Sequence, residues 1–318
     1  MREICVLGAG VAGLSFIKKV RSQGAQYKIR LIDNKRYSYN KREFISNLSV
    51  NDYFDLKRWA QDNDVEFIHD SVERVNPKRK KIYFKESDSI DFDSLIIATG
   101  LKSKKMSLKG EHREGFFYLS QMDPMKIKEL LKVSCEISIY ASSILGCKFA
   151  RAINSLGKEV KVIADSWDFL GEDKDRMIAF FQNKGIDVYL ESEICEAIGE
   201  AGVKAVKIAP LKVFSSQAVV IDSGFIPNAD FFDESVNIKD VFFSNHEDLY
   251  FLGDVNCKNI EHEFFFNYNY DEAKYQGEVL GDFIVDENLD FFERKIIQEQ
   301  GKKDIIDDML GGKSLIEN

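Results

Sequence analysis

Glu3-Ile4-Cys5-Val6-Leu7-Gly8-Ala9-Gly10-Val11-Ala12-Gly13 is a short apolar run that breaks into a G-x-G-x-x-G turn. Beyond it, Val11, Leu14, Ile17 and Val20 recur at helical spacing, and Gly24 stands where a helix ends. Tyr27-Lys28-Ile29-Arg30-Leu31-Ile32-Asp33 reads as the next strand, so the segment predicts a strand–helix–strand unit and a parallel sheet. Each glycine has a separate use: Gly8 for a tight turn, Gly10 for bare backbone beside a pyrophosphate, Gly13 for close helix–strand packing. The helix N-terminus offers free N–H groups and partial positive charge to such an anion. Asp33 lies about 20 residues beyond Gly13, where an acidic ribose ligand belongs.

A similar unit begins at Ile137-Ser138-Ile139-Tyr140, continues through a turn and helix over Ala141–Leu156, is closed by Gly157, and reaches the strand Glu159–Ile163. Here the loop reads Ala141-Ser142-Ser143-Ile144-Leu145-Gly146, and only the third glycine is kept. A Cβ at Ala141 strains the turn, and the Ser143 side chain crowds the pyrophosphate approach. Ala164 and Asp165 stand at the end of the following strand, where an acidic or basic ribose selector belongs. Three further runs complete the pattern: Ser94-Leu95-Ile96-Ile97-Ala98-Thr99-Gly100; Ala218–Gly224 leading to Phe225-Ile226-Pro227-Asn228; and Leu249-Tyr250-Phe251-Leu252-Gly253-Asp254. The polar stretch Lys102–Gly110 is expected to cross between domains, and a long helix is expected over Phe264–Val285, before a charged tail from Phe291.

The chain has 318 residues, enough for two domains at roughly 100–200 residues each. Its net charge of −9 excludes nucleic acid as the main partner, because phosphate backbones need a basic surface. No apolar run approaches the roughly 18 residues of a membrane-spanning helix, and the first strand is too short for a signal-peptide core. A cytoplasmic protein is therefore expected. The five cysteines, Cys5, Cys135, Cys147, Cys195 and Cys257, form no C-x-x-C pair, so neither a zinc ribbon nor a short redox disulfide is expected. No metal site is expected.

In this order and spacing, the first loop with Asp33, the Ala98-Thr99-Gly100 strand end, Gly224-Phe225-Ile226-Pro227-Asn228 and Phe251-Leu252-Gly253-Asp254 resemble the pyridine nucleotide-disulfide oxidoreductase superfamily and its rubredoxin- and ferredoxin-reductase relatives. The resemblance covers about residues 1–285. It implies an α/β fold with two Rossmann-like domains, the second inserted into the first: an FAD-binding domain over 1–105 and 240–318, and an NAD(P)-binding-like domain over 106–239. It implies FAD held by Gly8, Gly10, Val11, Ala12, Gly13 and Asp33, with Asn34, Lys35 and Arg42 alongside. It also implies a contact to adenine from the strand around Val72, the return strand at Ala98, Thr99 and Gly100, and Gly253 with Asp254 on the ribityl and pyrophosphate part.

Where the family's disulfide reductases carry an early redox cysteine, this chain reads Glu43-Phe44-Ile45-Ser46-Asn47-Leu48-Ser49, so no thiol relay is expected. Lys148 stands where the family often has an acid facing the nicotinamide. The resemblance thus implies an FAD-dependent oxidoreductase, NAD(P)H-dependent, passing electrons to a protein or small-molecule acceptor. The alternative is a flavin-binding electron-transfer or interaction subunit whose second domain no longer binds NAD(P)H. A membrane-surface quinone reductase is disfavoured by the short, charged tail. His262 and the aromatic cluster Phe264, Phe265, Phe266, Tyr268 and Tyr270 would lie at the helix end nearest the flavin; a proton-donating His262 and ring-shielding aromatics compete there with solvated and core roles. Only a short tail follows Val285, where larger members carry an interface domain, so an oligomer is neither implied nor excluded. The catalytic residues and the acceptor stay open.

Overall fold

The computed structural model describes residues 2–50, 52–232, 236–237, 242–256, 270–286, 306 and 309–310. Ten of its strands form two five-stranded parallel sheets: β1 (Glu3–Leu7), β2 (Lys28–Asp33), β3 (Glu66–His69), β4 (Ser94–Ile97), β5 (Phe116–Tyr118), β6 (Glu136–Ala141), β7 (Glu159–Ile163), β8 (Asp187–Tyr189), β9 (Ala218–Asp222) and β10 (Leu249–Phe251). The first sheet has the order β10-β4-β1-β2-β3 and the second β5-β9-β6-β7-β8. The second sheet is thus inserted in the chain between β4 and β10. In each, the central strand has its successor on one side and a later strand on the other, which leaves a crevice at the point of reversal.

A parallel sheet is covered on both faces, so its central strands are largely apolar, as β4 and β9 show. Along β1, Ile4 and Val6 pack with Leu14, Ile17 and Val20 of helix α1 (Val11–Ser22). Cys5 and Leu7 point the other way, against Ile82, Phe84 and Phe92. The second core joins helix α2 (Lys41–Asn47), through Phe44 and Ile45, to helix α3 (Ile144–Asn154), through Leu145 and Phe149. Helix α4 (Tyr270–Asp286) lies on α1 so closely that a Cβ at Gly277 would stand 2.3 Å from the Ala12 carbonyl oxygen.

The register repeats between the halves. Leu7 pairs with Ile97 in the first sheet, and Tyr140 pairs with Ile221 in the second. The next residues, Ala98 and Asp222, therefore hold equivalent places beside the two loops.

Several parts depart from the sequence reading. The crossing does not begin as a polar loop: Leu101–Ser103 is a strand paired antiparallel with Phe225–Pro227, so two crossings run together as a ribbon. The segment around Val72 is a strand, as the sequence reading has it: Val72–Asn76, part of a three-stranded antiparallel sheet. A second antiparallel sheet, Ile194–Gly199 with Val203–Ile208 and Lys212–Ser215, lies in the chain between β8 and β9. The long helix is described from Tyr270; Cys257, His262, Phe264–Phe266 and Tyr268 lie outside the described residues.

Candidate functional site

The first glycine loop is built from backbone alone. Gly8 has φ +103°, donates its N–H to the Ile32 carbonyl at 2.9 Å, and approaches β4 so closely that a Cβ would lie 2.4 Å from the Ala98 carbonyl oxygen. Gly13 is equally constrained, a Cβ there meeting the Gly8 carbonyl oxygen at 2.4 Å. Gly10 differs. Its backbone is extended, and the nearest atom to an added Cβ is 3.9 Å away. No side chain caps α1 and no acid stands in its first turn. Its first N–H groups face the demand that an anion can meet.

The loop opens on a cleft of about 1130 Å³. Gly8, Gly10, Val11 and Ala12 line it at the α1 end. Asp33, Asn34 and Lys35 follow from the end of β2, with Val72 beyond. Ala98, Thr99 and Gly100 line the crevice beside β4, and Gly253 and Asp254 line it after β10. The sequence-predicted residues therefore share one cleft, except Gly13, which packs beneath the loop. Asp33 is already fixed by backbone donors: Oδ2 accepts from Ala9 N at 2.8 Å and Oδ1 from Lys35 N at 2.8 Å. Each oxygen keeps capacity for a further donor. Thr99 Oγ1 donates to the Asn228 carbonyl at 2.6 Å, tying β4 to the return crossing.

Asp254 is the acidic pole of the far end. Arg42 Nη2 reaches both of its oxygens, at 3.0 and 3.1 Å. Burial pushes its carboxyl up, against the pull of Arg42 and Lys41. Gly253 is positioned by its N–H, which donates to Gln276 Oε1 at 2.8 Å from α4.

Sequence reasoning missed Lys41, which sits in the cleft wall beside Arg42. Burial lowers its ammonium to about 8, reinforced by Lys35 and opposed by Asp254 and Asp33. A diphosphate in the cleft would favour the charged form. The signal was its place in a basic run with Lys35, Arg36 and Arg42. Leu145 of α3 and Phe225, also missed, give the cleft an apolar wall from the inserted half.

The second loop is built differently. Asp222, fully buried at the end of β9, points its carboxylate into it. Oδ2 accepts from Ser143 N at 2.9 Å, Ser143 Oγ at 2.7 Å and Gly146 N at 3.1 Å. Oδ1 has no hydrogen-bond partner. Burial raises this carboxyl to about 6, against the opposing hydrogen bonds of Ser143 and Gly146. Gly146 persists because a Cβ there would lie 2.4 Å from Asp222 Oδ2. Three donors at this helix start, Ser143 N, Leu145 N and Gly146 N, are thus already engaged by Asp222 or Ser143.

Cys147 is buried in α3, and burial pushes its thiol well above the ordinary range; Cys5 is raised to about 12 for the same reason. Neither sits as a thiolate beside the cleft. Among the described residues there is no cluster of metal-ligating side chains, and no helix is long and apolar enough to cross a membrane.

A duplicated doubly wound fold with one complete dinucleotide loop and a Gly253-Asp254 turn facing it defines a class of two-sheet nucleotide-binding redox proteins. The chain belongs to the pyridine nucleotide-disulphide oxidoreductase family, whose pattern matches residues 2–266. It is 28% identical over 280 residues to NADH-rubredoxin oxidoreductase of Clostridium acetobutylicum, covering 80% of this chain and 68% of that protein. It is 24% identical over 244 residues to human apoptosis-inducing factor 3, covering 73% of this chain but 40% of that protein. The NAD-dependent persulfide reductase of A. fulgidus shares the fold with a TM-score of 0.76 at 20% identity, over 89% of this chain and 59% of that one. The chain thus spans well under two thirds of the length of some relatives, and these likenesses extend to fold and family.

Proposed function

We propose that this chain is an FAD-dependent oxidoreductase that passes electrons through the flavin to a protein or small-molecule acceptor without a cysteine relay. The observation that carries the reading is the single continuous cleft from the uncapped start of α1, past Asp33, to Asp254. The residues fit FAD. Gly10 leaves bare backbone where a pyrophosphate would pass, Lys41 and Lys35 supply positive charge, and Asp33 offers acceptors to an adenosine ribose. Gly253 and Asp254 would hold the ribityl side, with Arg42 orienting the Asp254 carboxylate. FAD would supply the electron-carrying chemistry, while the protein sets its position and surroundings. Leu145 and Phe225 would exclude water from one wall.

Family membership and the rubredoxin-reducing relative make a reduced pyridine nucleotide the first donor to test, and a small iron–sulfur or rubredoxin-type protein the first acceptor. A second reading, an electron-transfer subunit whose inserted domain does not use NAD(P)H, is favoured by the engagement of the second loop by Asp222. The test is cofactor identity. Purified protein is denatured and the released flavin separated; FAD supports the reading, and FMN alone, or no binding of added FAD, refutes it. Anaerobic mixing with NADH and NADPH, followed by flavin bleaching, then separates the two readings.

A further inference from the structure

The two halves of the fold provide an internal comparison. Beside the first loop stands Ala98, whose side chain offers no acceptor; the one carboxylate on that loop among the described residues, Asp33, takes the Ala9 N–H ahead of the helix and leaves the α1 start uncapped. In the equivalent place beside the second loop stands Asp222. We propose that Asp222 is a built-in anionic cap that takes over the α3 donors a dinucleotide pyrophosphate would need, so that the inserted domain excludes NAD(P)H from this loop. The inference deepens the FAD reading and assigns nucleotide exclusion to one residue.

Three observations support it. First, the carboxylate accepts from both Ser143 N and Gly146 N, so it occupies two of the donors that the helix start would offer an external anion. Second, Ser143 donates its hydroxyl to the same oxygen, so the serine is not merely an obstacle replacing glycine. Its own Oγ also caps Leu145 N at 3.2 Å. Third, the carboxylate is fully buried, and among the described residues Oδ1 has no partner in hydrogen-bonding geometry, although the Gly224 N–H lies near the group. An incoming pyrophosphate would meet donors already engaged and a like charge behind them. Among the described residues, the groups that act on Asp222 are Ser143, the Gly146 and Gly224 backbone N–H groups and the buried Cys147 thiol, none of them a cation.

The experiment measures direct binding of NADH and NADPH to the FAD-loaded protein, by nucleotide fluorescence anisotropy and by calorimetry, independently of turnover. The wild type is expected to show a Kd weaker than about 1 mM, near −4 kcal/mol. Ala141→Gly with Ser143→Gly, which removes the crowding and the Ser143 hydroxyl but keeps the Asp222 carboxylate, is expected to change this less than threefold. Asp222→Ala with Ser143→Gly, which copies the first loop at Ala98 and Gly10 while keeping Ala141, is expected to tighten binding at least tenfold. Should that variant fail to fold, Asp222→Asn keeps an acceptor and removes the charge, and it is expected to tighten binding at least threefold. Micromolar binding by the wild type overturns the proposal. So does a full gain from the glycine pair alone, or no gain from either Asp222 variant. Each of these outcomes leaves the FAD reading standing, which fails only if the protein takes up no FAD.

Discussion

Gly10 and Gly8 lie two residues apart in one loop, yet the structure gives them opposite roles, and an added methyl group separates cofactor binding from folding. Gly10 has φ −80° and ψ 178°, open to any residue, and an alanine Cβ would come no nearer than 3.9 Å to the protein. Losing glycine at a helix N-cap costs a few tenths of a kcal/mol or somewhat more, and reducing unfolded-chain entropy returns about 0.4–1 kcal/mol. The apoprotein stability of Gly10→Ala is therefore expected within about 1 kcal/mol of wild type. The same methyl group enters the cleft where FAD is proposed to pass. Overpacking typically costs about 1–3 kcal/mol, which weakens FAD binding about 5- to 150-fold. Gly8→Ala is the counterpart. At φ +103°, its Cβ would stand 2.4 Å from the Ala98 carbonyl oxygen and 2.9 Å from Thr99 N, both backbone atoms. Backbone strain of about 1–3 kcal/mol adds to a comparable steric cost, so the apoprotein itself should lose about 2–6 kcal/mol. Urea melts of the deflavinated proteins and FAD titration by calorimetry read the two effects separately. Wild-type FAD affinity in Gly10→Ala would refute the placement of the dinucleotide over this loop.

Asp254→Ala should weaken FAD retention about 10- to 150-fold, the equivalent of one lost hydrogen bond to a charged group, and more than Asp33→Ala, measured as flavin content after dialysis. Replacing all five cysteines, Ala at the buried Cys5 and Cys147 and Ser at the exposed Cys135 and Cys195 and at Cys257, should leave dithionite bleaching of the flavin and its reoxidation by an artificial acceptor unchanged; a specific loss of turnover in Cys147→Ser with full FAD content would contradict the absence of a relay. Because the Asp222 carboxyl is raised from 3.8 to about 6 on folding, the native state holds its proton more tightly; this stability is complete below about pH 4 and lost as pH rises to about 6, amounting to about 3 kcal/mol. Asp222→Asn should remove that component, so wild-type and variant stability curves that stay parallel from pH 4 to 7 would rule it out. A double-mutant cycle between Ser143→Ala and Asp222→Asn should give a coupling of about 0.5–3 kcal/mol; additivity would mean the two side chains do not act together.

The first half of the fold was legible because its constraints are local. Gly8, Gly10 and Gly13 declare themselves by lacking side chains, and Asp33 lies one strand away, so the loop and its acid are written within a single βαβ unit. What escaped depends on distant pairing. The ribbon of Leu101–Ser103 with Phe225–Pro227 is too short for an alternating pattern to reveal, and only the register across the two crossings creates it. Lys41 reads as one more charge in a basic run; the fold half-buries it in the cleft wall, where Arg42 of the same helix pairs with Asp254 after β10, and no neighbouring residue announces that.

The second loop shows why a broken motif is a weak description of a sequence. Read residue by residue, Ala141 and Ser143 look like losses, each adding a Cβ where glycine served a ligand. The pairing of Ala141 with Asp222 changes their meaning, because the two residues that meet there are 81 positions apart and become neighbours only through the register of β6 and β9. A buried carboxylate is costly unless donors meet it, and Ser143 supplies two of the three that do. Ser143→Gly alone would keep the N–H but take away a hydroxyl, leaving the charge worse served; Asp222→Ala alone would leave buried N–H groups without an acceptor. Each substitution relative to the first loop makes the other tolerable. The loop is therefore a self-consistent structural unit whose helix start is satisfied from within, and its departure from the glycine pattern follows from an internal anion standing where the first loop keeps room for an external one.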